Sequence, residues 1–315
     1  MRIAIAGAGG VGGLLAGLLA RAGNEVFVLA RGAHAEAIRR DGLRVASPRE
    51  TFTARVAAVS DDPAALGPAE AVLVAVKAWQ VAELAPRLAP LLAKGGIAVP
   101  LQNGVEAAAR LAAGLGEPRV AGGLVSVLAW IDGPGAVRHM GGVPRLKIGP
   151  RAPGQAPALE ALAGALRGAG SEVEIVADVE RASWEKFLLI EPWGAVAAAA
   201  RAPAGVVRSV PETRALLVRA QEELAAVARA RGVALPADAV ARALAIIDSV
   251  PPEGTSSMQR DIGAGRASEL DDQVGAVVRL ARAVGVPVPI HETLHAALLP
   301  QEHAARGIVP AFGRT

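Results

Sequence analysis

RIAIAGAGGVGGLLAGLLARAG, residues 2–23, decides how the first half of this 315-residue chain is read. Residues 2–6 form a short apolar run of β type. Gly7, Gly9 and Gly12 follow in G-x-G-x-x-G spacing, with Ala8, Gly10 and Val11 between them. LLAGLLARAG then reads as a helix ending at Gly23, and EVFVLAR, 25–31, as a second strand. Glycines alone would describe a tight turn with no ligand. Strand, glycine turn, helix and strand in this order are what a dinucleotide-binding turn requires. Gly7 permits the turn, Gly9 lets backbone approach a pyrophosphate, and Gly12 lets helix pack on strand. The helix N-terminus then offers free N–H groups and a positive dipole end to the phosphates.

The end of the second strand selects the cofactor. An NAD site carries Asp or Glu there for the ribose hydroxyls. This chain has Arg31 and Gly32, and a cation suits the additional 2′-phosphate of NADP, so NADPH/NADP is expected. The plainer reading of Arg31 is an ordinary surface arginine.

Outward from this unit, residues 53–61 and 69–77 read as strands, 78–95 as a helix with a glycine stop, and 96–104 as a strand running into Gln102-Asn103-Gly104. Residues 120–131 and 144–149 read as later strands. Alternating β and α units predict a parallel, doubly wound sheet. Ligands bind beyond the carboxyl ends of such strands, where Lys77 and Asn103 both fall. From about residue 179 the pattern is helical, with amphipathic stretches at 211–232, 236–250 and 268–285. The expected fold class is α/β, a Rossmann-type doubly wound domain over 1–178 followed by an all-helical domain over 179–315, with substrate in a cleft between them. Thr255, Ser256 and Ser257 are each able to cap a helix starting near Met258, and Glu269 suits a helix start.

Composition excludes other classes. The absence of cysteine rules out a disulfide scaffold or a thiolate site. Net charge is only +3, there is no tyrosine and there are four phenylalanines, so neither charge nor aromatic stacking predicts nucleic-acid binding. The N-terminal apolar run breaks into glycine too early for a signal peptide. The stretch 187–200 is interrupted by Glu191 and Pro192 before it reaches membrane-spanning length. A cytoplasmic setting without membrane contact is expected. No metal site is expected either, and the one helical histidine pair, His291/His295, reads as helix surface.

Only four lysines, Lys77, Lys94, Lys147 and Lys186, occur among 33 Lys+Arg. One of them, Lys186, lies inside ASWEKFLLIEPWG, 182–194, an otherwise apolar stretch in a chain that elsewhere writes arginine. GAGGVG at 7–12, Arg31, KAWQV at 77–81, QNG at 102–104, WEK at 184–186 and SSMxxDIxxGRxxE from Ser256 to Glu269 occur in one order. Together they make the chain resemble the ketopantoate reductase (2-dehydropantoate 2-reductase) family over nearly its whole length.

The resemblance implies NADPH as hydride donor and a small-molecule 2-oxo acid or ketone as acceptor, most directly ketopantoate in pantothenate biosynthesis. It implies Lys186 as proton donor, and Lys77 and Asn103 at the cofactor and active site. Ser257 and Glu269 fall in the cleft, with Glu269 beside lysine and cofactor, and Ala129 lines the cofactor through backbone. Arginine stabilises charge but holds its proton above pH ~12, whereas a desolvated lysine is able to release one. The helical half also offers a surface for a homodimer.

The chain departs from the family pattern at four positions. Ile190, Gly194, Ala204 and Gly254 stand where family members commonly carry asparagine. That predicts a more apolar substrate than ketopantoate. Two other readings stay open: a different two-domain dehydrogenase of the β-hydroxyacid type, and a non-catalytic NADP(H)-binding sensor.

Overall fold

The computed structural model describes residues 1–310. It divides into two units, one of Met1–Asn103 with Ala107–Val179, the other of Gly104–Glu106 with the chain from Glu180 onward.

The first unit is built on a five-stranded sheet. Strand β1 is Arg2–Ala6, helix α1 Gly10–Arg21, β2 Glu25–Leu29 and α2 Gly32–Asp41. Next come β3 Leu43–Ala46, β4 Thr51–Ala54, β5 Ala58–Ser60 and β6 Ala69–Val74. A short helix α3, Val81–Leu84, lies between 3-10 segments, and β7 spans Leu92–Pro100. The order β5-β2-β1-β6-β7 is parallel throughout. Ile3 to Ala6 are fully buried because both faces of a parallel sheet are covered. Ile3 and Ile5 pack with Leu14, Leu15 and Leu19 of α1, while Ala4 and Ala6 join Leu84, Leu88 and Leu111 on the other face. The period-2 alternation of a strand distributes them so.

The rest of this unit adds α4 Ala107–Leu115, β8 Gly122–Ser126, β9 Ala129–Gly133, β10 Ala136–His139 and β11 Arg145–Gly149, then α5 Ala156–Gly168 and β12 Glu172–Ile175. These strands form two further sheets, β4-β3-β10-β9 and β12-β11-β8, both mixed.

Three expected elements differ. Residues 53–61 are not one strand, because Thr51–Ala54 pairs with β3 and Ala58–Ser60 with β2. Residues 120–131 likewise split into β8 and β9, which belong to different sheets. The helix expected over 78–95 is a chain of 3-10 and α turns, and β7 already starts at Leu92. Pro86 and Pro90 lie in the 3-10 segment, and a ring there denies an α-helix its i→i−4 bonds.

The second unit is helical: α6 Val179–Ala200, α7 Ala204–Ser209, α8 Pro211–Ala230, α9 Ala239–Ser249, α10 Ser257–Gly263, α11 Leu270–Val284 and α12 Pro289–Ala305. Helix α11 closes at Gly285, which adopts φ 70°. Helix α6 runs through Pro192 rather than breaking there. Proline leaves the carbonyl four residues back without its helical donor, and the buried Gln221 of α8 donates Nε2–H to that carbonyl, Leu188 O, at 3.3 Å. No described helix is long and apolar enough to cross a membrane.

Candidate functional site

Four loops of the first unit leave the same edge of its sheet. Because β1, β2, β6 and β7 are parallel, their carboxyl ends carry Gly7, Arg31, Lys77 and Asn103 to that one edge. The strand order reverses between β1 and β6, the place where such sheets hold ligands. Gly7 turns at φ +101°, and a Cβ on it would lie 2.8 Å from Val76 beyond β6. A Cβ on Gly12 would strike the carbonyl of Gly7, so only glycine lets α1 sit this close. Gly10 faces the carbonyl of Ala129 in the same way, which sets the Ala129 backbone against the glycine turn. Gly9 meets nothing within 4 Å. It is the N-cap of α1 and has no side chain to cap the free N–H groups, so an open cradle faces the donors of Gly10, Val11 and Gly12. Ala8 is 6% exposed and anchors the turn to the core.

Arg31 is the exposed N-cap of α2, with extended backbone at φ −136°, ψ 166°. Lys77 starts the 3-10 turn Ala78–Gln80, and its Nζ lies 5.7 Å from the ring centre of Trp79. Gln102 acquires a role only in the folded structure. Its Nε2 donates to Val74 O at 3.0 Å and to Val76 O at 2.8 Å. That ties the end of β6 to the end of β7, and so fixes the segments that carry Lys77 and Asn103.

In the second unit, Lys186, Ile190 and Gly194 follow one stripe of α6 at i, i+4 and i+8. Trp184 and Phe187, both buried, lock the other side of this helix in an edge-to-face pair with centroids 6.1 Å apart. Lys186 keeps partial solvent contact, yet burial of its ammonium pushes the pKa down from 10.5 to about 8. The Glu269 carboxylate opposes that shift by stabilising the charged form. Glu269 is 9% exposed, stands at the N-cap of α11, and accepts a long hydrogen bond of 3.4 Å from Gln273.

The cap of α10 is Ser256, whose Oγ accepts from Gln259 N at 3.1 Å in a capping box. Ser257 therefore has no capping duty; it is exposed at the first helical position. A Cβ on Gly194 would lie 3.2 Å from both Ser256 Oγ and Met258 Cε, so α10 packs directly on this stripe.

Ala204 and Gly254 are neighbours. Ala204 N–H donates to Gly254 O at 2.9 Å, and Gly205 N–H to Pro252 O at 2.8 Å. A Cβ on Gly254 would collide with Val250 and reach Pro251 O at 2.9 Å. The start of α7 and the loop 251–254 thus meet backbone to backbone, filling space that two longer polar side chains would need.

The expectation for the histidine pair fails. His291 is fully buried, with Nδ1 2.7 Å from Glu223 Oε2 and Nε2 3.0 Å from Glu191 Oε2. His295 is half-buried, 3.4 Å from Asp271. A helical i, i+4 spacing says nothing about which face is covered, and here α12 turns it inward. A second cluster, buried Ser268 and Glu302 with the exposed Arg306, was likewise not legible in the sequence.

Two family models match the chain: "Ketopantoate reductase PanE/ApbA" over residues 3–153 and "Ketopantoate reductase PanE/ApbA C terminal" over 178–302. A curated 2-dehydropantoate 2-reductase of Halobacterium salinarum is 32% identical over 295 residues, covering 93% of this chain and 96% of that one. A crystal structure of a PanE/ApbA family ketopantoate reductase from Ralstonia eutropha JMP134 superposes with a TM-score of 0.88 at 37% identity, covering 97% and 100% of the two chains. A D-mandelate dehydrogenase solved with NADH and anilino(oxo)acetate reaches the same TM-score of 0.88 at 20% identity, covering 97% and 99%, a likeness of fold alone.

Proposed function

Starting from the fact that this chain belongs to the ketopantoate reductase family, we propose that it reduces a 2-oxo acid to the 2-hydroxy acid with NADPH. Lys186 is the proton donor in this reading. The observation that carries it is the chemistry of Lys186, a lysine whose pKa is brought to about 8 by burial, with the carboxylate of Glu269 as its charge partner.

The residues present fit the cofactor. The open space over Gly9, the uncapped N-terminus of α1 and the carbonyl of Ala129 against Gly10 make a cradle that any larger side chain would fill. Gly7 to Gly12 would hold the pyrophosphate, Arg31 the 2′-phosphate, and Lys77, Asn103 and Ala129 the nicotinamide side. When bound, the reduced nicotinamide supplies the hydride that goes to the carbonyl carbon.

This chain's residues handle the remaining charge. As the C=O bond opens, negative charge gathers on oxygen. The Lys186 ammonium stabilises it and gives up a proton to it, completing the hydroxyl. A pKa near 8 keeps the lysine mostly charged at neutral pH while weakening its hold on the proton. Glu269 holds the ammonium in place and favours its recharging from solvent. Ser257, exposed and released from capping, is the hydroxyl assigned to the substrate carboxylate.

The test is NADPH oxidation by purified protein against ketopantoate and a panel of other 2-oxo acids. Turnover is expected, with Lys186→Ala lowering kcat by about 10²–10⁴, the usual worth of a positioned acid. Turnover that survives the substitution would refute the proton-donor role. NADPH binding without turnover of any substrate would favour the sensor reading instead.

A further inference from the structure

We infer that Glu302 of α12 is a positioning residue, which holds Glu269 against Lys186 by clamping the peptide of Ser268. The inference rests on the reading of Lys186 and Glu269 given above.

The clamp is buried at Ser268 and Glu302 and closed from the surface by Arg306. Ser268 is fully buried and Glu302 is 2% exposed. The backbone N–H of Ser268 lies 3.1 and 3.0 Å from the two oxygens of Glu302, and the Ser268 hydroxyl donates to Oε2 at 2.6 Å. Arg306, one turn further along α12, donates Nε–H to Glu302 Oε1 at 2.6 Å and Nη2–H to the carbonyl of Ser268 at 2.9 Å. The Ser268 Oγ in turn accepts from Leu270 N at 3.2 Å. A buried carboxylate costs several kcal/mol unless its lone pairs are filled, and here backbone, hydroxyl and guanidinium donors fill them.

Every anchor in this cluster fixes the chain immediately before Glu269. On the other side, Gln273 N–H donates to the Glu269 carbonyl at 2.9 Å as α11 begins. The Glu269 backbone is thus held on both flanks. Its carboxylate accepts from Gln273 at 3.4 Å and pairs electrostatically with Lys186. The carboxylate is carried by this backbone, and Glu302 anchors the backbone at Ser268. Other charged groups nearby are already engaged: Asp271 with Arg279 and His295, Glu185 with Arg181, and Asp261 with Arg266. Asp272 is buried on the first turn of α11. Glu269 is the carboxylate that stabilises the Lys186 ammonium.

The sign follows from that pairing. Glu269 raises the pKa of Lys186, so a Glu269 that wanders lets burial depress it further. Reduction needs the protonated lysine, so kcat falls as pH rises through that pKa. Loosening the clamp moves the basic limb to lower pH.

The variants are Glu302→Gln, which sets an amide against the Arg306 guanidinium, and Ser268→Ala, which removes the hydroxyl. Two readouts are taken on the full chain. One is the basic limb of kcat for 2-oxo acid reduction. The other needs no turnover: the pH dependence of Lys186 modification by trinitrobenzenesulfonate, followed by peptide mass spectrometry. Both midpoints are expected to fall by roughly half to one pH unit in either variant. In a Glu269→Gln background the same substitutions are expected to add no further shift. A folded variant whose modification midpoint stays within roughly 0.2 pH unit of the parent overturns the inference, since a shift of that size is negligible beside the pairing it should report. If Glu302→Gln does not fold, Ser268→Ala decides. Absence of turnover in the parent chain would refute the proposed function, while the modification midpoints would still judge the clamp.

Discussion

At the scale of single residues, Arg31 makes a prediction about cofactor choice. It is an exposed N-cap with extended backbone, so a phosphate placed there would meet both its guanidinium and the free N–H groups of α2. Removing a charge-assisted contact of this kind costs about 1.5–3 kcal/mol. Arg31→Ala should therefore weaken NADPH binding by roughly 10- to 100-fold and leave NADH binding nearly unchanged. Titration of both cofactors by fluorescence checks this; a parallel loss for the two would remove Arg31 as the selector. Its type and place were readable because the end of a strand was readable. Lys186 was readable as an exception in an arginine-rich chain. Its pKa was not, because burial is contributed by residues distant in sequence. Gln102 was opaque for the same reason, as its partners Val74 and Val76 lie 28 and 26 residues away.

At the scale of elements, α12 does more than close the helical unit. His291, near its start, joins α6 through Glu191 and α8 through Glu223, and Glu223 also accepts the N–H groups of Ile290 and His291 at 2.9 and 3.1 Å. Burial by itself would lower the His291 pKa, but Glu191 first and Glu223 second raise it to about 9. The unfolded value is near 6.5, so folding gains protons and this group stabilises the fold fully below about pH 6.5. That contribution fades as pH rises and is lost through pH 9. The melting temperature is expected to fall between these limits, and His291→Gln should be less stable at pH 6.5 while flattening the dependence. Calorimetry across the window would show it; a parallel offset at every pH would count against the triad. Elements were legible where one periodicity ran unbroken, as in α8 and α11. They were misread where prolines broke an apolar helical pattern at 86 and 90, and where one expected strand served two sheets at 53–61 and 120–131.

At the scale of the whole molecule, the chain carries the glycine turn and the lysine that the family resemblance implies for cofactor and proton transfer, and it departs from the family pattern at Ile190, Gly194, Ala204 and Gly254. The first was legible because glycine spacing and strand ends are local. The departure was legible only as four missing asparagines; their physical meaning required the contacts. Ala204 and Gly254 are closed against each other, backbone to backbone, so the loss there is built into the packing of α7. Ile190 is different. It is half-buried on the Lys186 stripe, one turn beyond the lysine, with an aliphatic surface where a polar one is common. A substrate hydroxyl set against isoleucine loses a hydrogen bond worth about 0.5–1.5 kcal/mol, while an alkyl group gains about 0.8 kcal/mol per buried methylene. The expected ranking by kcat/KM is therefore branched or bulky apolar 2-oxo acids above ketopantoate, by roughly tenfold or more. Ile190→Asn should narrow or reverse that order. Gly254→Asn should not, because its side chain collides with Val250 and Pro251; it should lower the melting temperature instead. A parent enzyme that strongly prefers ketopantoate would show that the four departures do not select the substrate. The preference would then have to come from groups the four positions do not supply.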